Sequence, residues 1–122
     1  MSLPHRYLFI GGLHRSGTSL LARLIAAHPL VSAITDAPVP ENEGCYLTGA
    51  IPHTARHGIP GHFATDPAQH HVEGSALDRL TTRTRLEADW AHWFDRGSPW
   101  RVEKSPVNLT RTRLLQSLFP LS

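Results

Sequence analysis

Tyr7-Leu8-Phe9-Ile10-Gly11-Gly12-Leu13-His14-Arg15-Ser16-Gly17-Thr18-Ser19 passes from an apolar, β-prone segment into a glycine-bounded polar loop, and then into the leucine-rich stretch Leu20 to Ala27. Such a succession predicts a buried strand over 7–11, a tight loop, and a helix over 17–27 carrying Leu20, Leu21, Leu24 and Ile25 on one stripe. Proteins hold phosphate in this way. Glycine lets the backbone curl, the amides of Ser16 to Ser19 can turn inward, and the positive end of the next helix attracts an anion. The anion site is therefore expected to comprise Gly12, His14, Arg15, Ser16, Gly17, Thr18 and Ser19.

The spacing approaches the phosphate-loop pattern G-x-x-x-x-G-K-[ST], but Thr18 stands at the lysine position and the cation has moved inside the loop, to Arg15. This argues against a nucleoside triphosphatase, where that lysine bridges the terminal phosphates and the next hydroxyl holds magnesium. Phe9 to Leu21, closed by Ala27-His28-Pro29, resembles the start of sulfotransferases that use 3′-phosphoadenosine 5′-phosphosulfate (PAPS). Tyrosylprotein sulfotransferases and related bacterial enzymes come nearest in pattern. Val102-Glu103-Lys104-Ser105-Pro106-Val107-Asn108-Leu109, followed by Leu115 to Pro120, resembles the later E-K-[ST]-P segment of the same superfamily.

The resemblance implies sulfuryl transfer from PAPS to an acceptor hydroxyl or amine without a metal. Arg15 and the loop amides would hold the 5′-phosphosulfate, with Lys104 as a second cationic contact. The acceptor needs a base, and Asp36, Glu41 and Glu43 are the candidates, with His14 a fourth. Asp36 lies about where tyrosylprotein sulfotransferases carry their glutamate, whereas Glu41 and Glu43 resemble the acidic cluster of bacterial relatives. Family members continue past the Phe-Pro with a strand, an arginine-containing turn and a serine for the 3′-phosphate. Residues 1–122 are thus expected to be the amino-terminal portion of a single domain. Two rival readings stay open: a P-loop kinase or nucleoside triphosphatase, and a non-catalytic truncated anion-binding module.

Farther along the chain, His28-Pro29 ends the first helix and Val31 to Ile34 predicts a second short strand. Between Asp36 and Gly61, Pro38, Pro40, Pro52, Pro60 and several glycines predict a winding segment. Ser75 followed by Asp78 predicts the start of a second helix reaching Arg96-Gly97, with Leu77, Leu80, Leu86, Trp90, Trp93 and Phe94 as an apolar face. The aromatic residues there are expected to be core rather than pocket lining. Trp100 to Glu103 predicts a third strand and Leu109 to Leu118 a third helix, capped by Asn108. The fold class is accordingly α/β: a P-loop-type parallel sheet flanked by helices, incomplete on its C-terminal side, with an open edge prone to self-association.

The formal net charge of +2, from 12 basic and 10 acidic residues, is not concentrated in a block, which excludes a nucleic-acid reading. Arg79, Arg83 and Arg85 alternate with Asp78, Glu87 and Asp89 and predict a solvated helix face. Cys45 is the single cysteine, which favours a cytoplasmic setting and an idle thiol. The apolar run at Tyr7 is interrupted too soon for a membrane span or signal sequence. His53, His57, His62, His70 and His71 invite a metal reading, but glycine and proline break their spacing, so no metal is expected.

Overall fold

The computed structural model describes residues 5–53 and 61–122. Three strands form one parallel sheet: β1 (Arg6–Ile10), β2 (Val31–Ala33) and β3 (Trp100–Lys104), in the order β1-β3-β2. In register, Tyr7 faces Arg101, Leu8 faces Val102 and Ile10 faces Lys104, while Val31 and Ala33 align with Trp100 and Val102. The central strand is therefore the last of the three in sequence. All its residues from Arg101 to Lys104 are buried, as expected of a strand paired on both sides.

Side chains alternate across the sheet, so Tyr7, Phe9, Arg101 and Glu103 share one face. That face carries the main core, closed by α2 (Leu80–Ala91) and α3 (Thr112–Leu118). Tyr7, Leu86, Trp90, Phe94, Leu114, Leu118 and Phe119 are buried there, and the Tyr7 ring lies 4.7 Å from Phe119 and 6.1 Å from Trp90. The aromatic residues of α2 and its C-terminal flank are thus core, with Trp93 only partly buried.

The opposite face meets α1 (Thr18–Ala26). This helix forms where expected, but its leucine stripe points outward: Leu20, Leu21 and Leu24 are 56%, 47% and 64% exposed. Ala22, Ile25 and Ala26 are the half-buried positions instead. Alanines let the helix approach without filling the space between it and the strands.

Two further expectations are corrected. Ser75 does not begin a helix. Ser75 to Asp78 is a turn in which the Asp78 carboxylate accepts from the Gly74 amide and the Ser117 hydroxyl, and α2 starts only at Leu80. Asn108 does not cap α3 with its side chain. Pro106–Thr110 is a 3₁₀ turn, α3 begins at Thr112, and the Asn108 amide is engaged elsewhere. Residues 36–53 contain only short 3₁₀ turns, at Pro40–Asn42 and Gly44–Tyr46, in keeping with their prolines. On α2, Arg83 pairs with Glu87 and Arg85 with Asp89 at the i,i+4 spacing of a solvated face. No helix among the described residues is long and apolar enough to cross a membrane.

Candidate functional site

The carboxyl ends of β1 and β3 lie side by side, and the loops leaving them are stitched together. The Ser105 amide donates to the Ile10 carbonyl at 3.2 Å, and the Gly12 amide to the Pro106 carbonyl at 3.2 Å. Asn108 Nδ2 donates to the same Ile10 carbonyl at 3.1 Å. Gly11 makes this closeness possible, since a Cβ there would stand 2.3 Å from the Leu109 nitrogen. Ligands of open α/β sheets bind in the crevice beyond strand ends arranged in this way.

The 12–19 loop has the backbone of an anion cradle. Arg15 adopts a left-handed φ of 63° and is exposed, as are His14, Ser16 and Gly17. Gly17 caps α1 at φ 95°, with nothing within 4 Å of where its Cβ would be. Thr18 and Ser19 therefore stand inside the first turn, not at the cap. They share that turn with orphan amides, whose partial positive charge favours an anion. A Cβ on Gly12 would meet Ser16 Oγ at 2.8 Å, so a side chain there would crowd the loop. His14 leans toward Phe63, with ring centroids 6.2 Å apart.

At the end of β3 is an ion pair that the motif alone does not reveal. Lys104 Nζ lies 3.0 Å from Glu43 Oε1, with the two side chains only 8% and 9% exposed. Glu43 reaches Lys104 because its loop is clamped to β3. The buried Glu103 carboxylate accepts from the Gly44 amide at 2.9 Å, from Ser105 Oγ at 2.5 Å and from Asn108 Nδ2 at 2.6 Å. The Cys45 amide donates to Ser105 Oγ at 3.1 Å, and the Trp90 indole donates to the Gly44 carbonyl at 2.9 Å. Burial pushes the Glu103 pKa up, opposed by those hydrogen bonds to its ionised form. Glu103, Ser105 and Asn108 thus connect the acidic loop to the end of β1.

Neither of the other candidate carboxylates forms an ion pair with Lys104. Glu41 is exposed at φ 53° and borders a cavity of about 490 Å³ that also reaches Lys104 and Ser19. Asp36 is exposed at φ 56° and does not line that cavity. Asn42, at φ 53°, accepts from the Ala37 amide and holds the strained segment closed. Non-glycine residues in this region of φ cost about 1–3 kcal/mol each and concentrate at functional sites.

On the far side of the acidic loop, the buried Arg111 donates to the Pro52 carbonyl at 2.6 Å and to Gln69 Oε1 at 3.1 Å. Burial, with the Arg111 charge as a second cause, holds His53 as a neutral imidazole whose pKa is lowered to about 4. Among the described residues no group of three histidine, cysteine or acidic side chains converges as metal ligands. His57 lies outside the described residues.

A family model described as the sulfotransferase family matches residues 8–122, nearly the whole chain. The chain belongs to the sulfotransferase family. No curated protein and no solved structure matches it. The matched span includes the 12–19 loop and the Glu103-Lys104-Ser105-Pro106 turn, and the parallel sheet with flanking helices is the α/β architecture expected from the strand–loop–helix succession.

Proposed function

We propose that the chain binds PAPS with its phosphosulfate against the 12–19 loop and transfers the sulfuryl group to an acceptor hydroxyl. The observation that supports this reading is the buried Lys104–Glu43 pair at the end of β3, where Lys104 borders the same cavity as Ser19 of the first turn of α1. When bound, the donor supplies sulfur already activated as a mixed anhydride with phosphate. A bond forms between the acceptor oxygen and sulfur while the bond from sulfur to the bridging phosphate oxygen breaks, and the electron pair stays on the phosphate. Arg15 and the amides of α1 face that growing negative charge, and Lys104 has ammonium donors beyond the one it gives to Glu43. Glu43 receives the acceptor proton. Its Oε2 is the oxygen not engaged by Lys104.

Titrating PAPS and magnesium-ATP into the chain by calorimetry tests the donor. Selective PAPS binding that disappears in Arg15→Ala is the expected outcome, whereas magnesium-dependent ATP binding would replace this reading with a P-loop phosphotransferase. Transfer of labelled sulfate tests the base. Glu43→Gln should retain PAPS binding and lose about 10²- to 10⁴-fold in rate, while Glu41→Gln should keep most of it. The reverse ranking would move the base to Glu41.

A further inference from the structure

Two neighbours on β3 grip two neighbours in the acidic loop. Lys104 takes the side chain of Glu43, and Glu103 takes the backbone amide of Gly44. Glu103 is 1% exposed, and removing a carboxylate from water is costly unless hydrogen bonds offset it. In all three of its hydrogen bonds the partner is the donor: the Gly44 amide and Ser105 Oγ give to Oε1, and Asn108 Nδ2 gives to Oε2. The surroundings are built for a group that only accepts. Ser105 Oγ, having given its proton to Glu103, accepts from the Cys45 amide, so one carboxylate fixes two successive amides of the loop. Only glycine allows so close an approach at residue 44, where a Cβ would stand 2.8 Å from Glu103 Oε1 and 2.9 Å from Trp90 Nε1.

We infer that Glu103 is a positioning residue, whose carboxylate holds the 43–45 backbone in the place from which Glu43 meets Lys104. Its consequence for rate rests on the sulfuryl-transfer reading, in which Glu43 receives the acceptor proton. Being buried, Glu103 acts through Glu43 and not on a ligand. The ion pair cannot set this geometry by itself, because the flexible four-carbon stem of a lysine lets its ammonium follow a carboxylate that moves. Fixing the amide one residue away removes that freedom. Glutamine cannot take over the task, since its side chain has one accepting end and one donating end. With the oxygen toward Gly44 and Ser105, its NH₂ faces Asn108 Nδ2, and that amide cannot turn over without setting its own oxygen against the Ile10 carbonyl. With the NH₂ toward Gly44 and Ser105, both of those donors lose their acceptor.

The first measurement needs no reaction. The coupling between Glu43 and Lys104 is read from the urea midpoints of Glu43→Leu, Lys104→Met and the double variant, in the parent chain and again in Glu103→Gln. It should fall by roughly half or more once the clamp is cut, and a coupling that persists undiminished would overturn the assignment. Ser105→Ala, which removes one donor to Glu103 and frees the Cys45 amide, serves the same comparison with the same expected direction if Glu103→Gln does not fold. The second measurement follows labelled sulfate from PAPS to ethanol as the probe acceptor, beside calorimetric binding of adenosine 3′,5′-bisphosphate. Glu103→Gln should bind the bisphosphate within about threefold of the parent and transfer up to about 10²-fold more slowly, as for a reacting group displaced by about 1 Å. In the Glu43→Gln background it should cost nothing further, because it acts through that carboxylate. Losses that multiply, or bisphosphate affinity lost in step with rate, would make Glu103 a support of the fold at large and overturn the assignment. The two readings fail separately: a coupling that collapses in Glu103→Gln in a chain that transfers no sulfate keeps the clamp and removes the sulfuryl-transfer reading, whereas transfer with the coupling intact does the reverse.

Discussion

Lys104 and Glu43 illustrate how a charge pair can be costly to break and still add little to stability. Both leave water on folding, and their attraction mainly offsets that desolvation. Truncating either one leaves a buried charge without its partner, so Lys104→Met or Glu43→Leu alone should destabilise by about 3–5 kcal/mol in urea unfolding. The double variant should recover most of that loss, because neither charge of the pair then remains to be buried. Equal, additive losses would mean that each residue is held by other contacts. His53 carries a pH signature of its own. Its folded pKa is lowered from 6.5 to about 4, so the unfolded chain takes up the proton first as pH falls. Stability from this group is complete above about pH 6.5 and is lost progressively as pH falls toward 4. The midpoint of thermal unfolding should drop over that range, and less steeply in His53→Gln than in the parent chain.

At the scale of elements, the joint between the two strand-end loops sets the geometry of the site. Gly11→Ala would drive a methyl group into the Leu109 backbone, and should cost about 1–3 kcal/mol or more, measured by denaturant midpoint. The local elements of this joint were legible in the sequence because they are encoded locally. An apolar run, a glycine-bounded loop and a proline-terminated helix have distinctive short patterns, and β1, α1, β2 and β3 fall within a residue or two of their expected bounds. What was not legible depends on distant contacts. Ser75 and Asp78 look like a helix start, yet Asp78 is taken by Gly74 and by Ser117 on α3. Asn108 looks like a cap, yet a buried carboxylate and the end of β1 claim its amide. The leucines of α1 look like a core stripe because periodicity reports amphipathicity without saying which side meets the sheet. Among the candidate site residues, the loop was recognisable from local spacing, whereas the pairing of Glu43 with Lys104 depends on the long-range clamp through Glu103.

For the molecule as a whole, the sheet is asymmetric. One face is closed by an aromatic core and the other by a helix that turns three leucines outward, while β1 is hydrogen-bonded within the sheet only to β3 among the described residues. Strands with an open edge pair readily, so we predict self-association through β1, visible as a concentration-dependent sedimentation coefficient. A concentration-independent monomer would refute it. The molecule also contains its own clock for opening. Cys45 sits inside the clamp between Glu43 and Ser105, and burial pushes its thiol up to about 12. With Cys45 only 5% exposed, an alkylating reagent should label it faster when the acidic loop lifts from β3, so its labelling rate under native conditions reports such excursions. Occupancy of the proposed donor site should slow that rate if the loop must be seated for the ligand to stay, turning an inert cysteine into a readout of how often the acidic loop leaves β3.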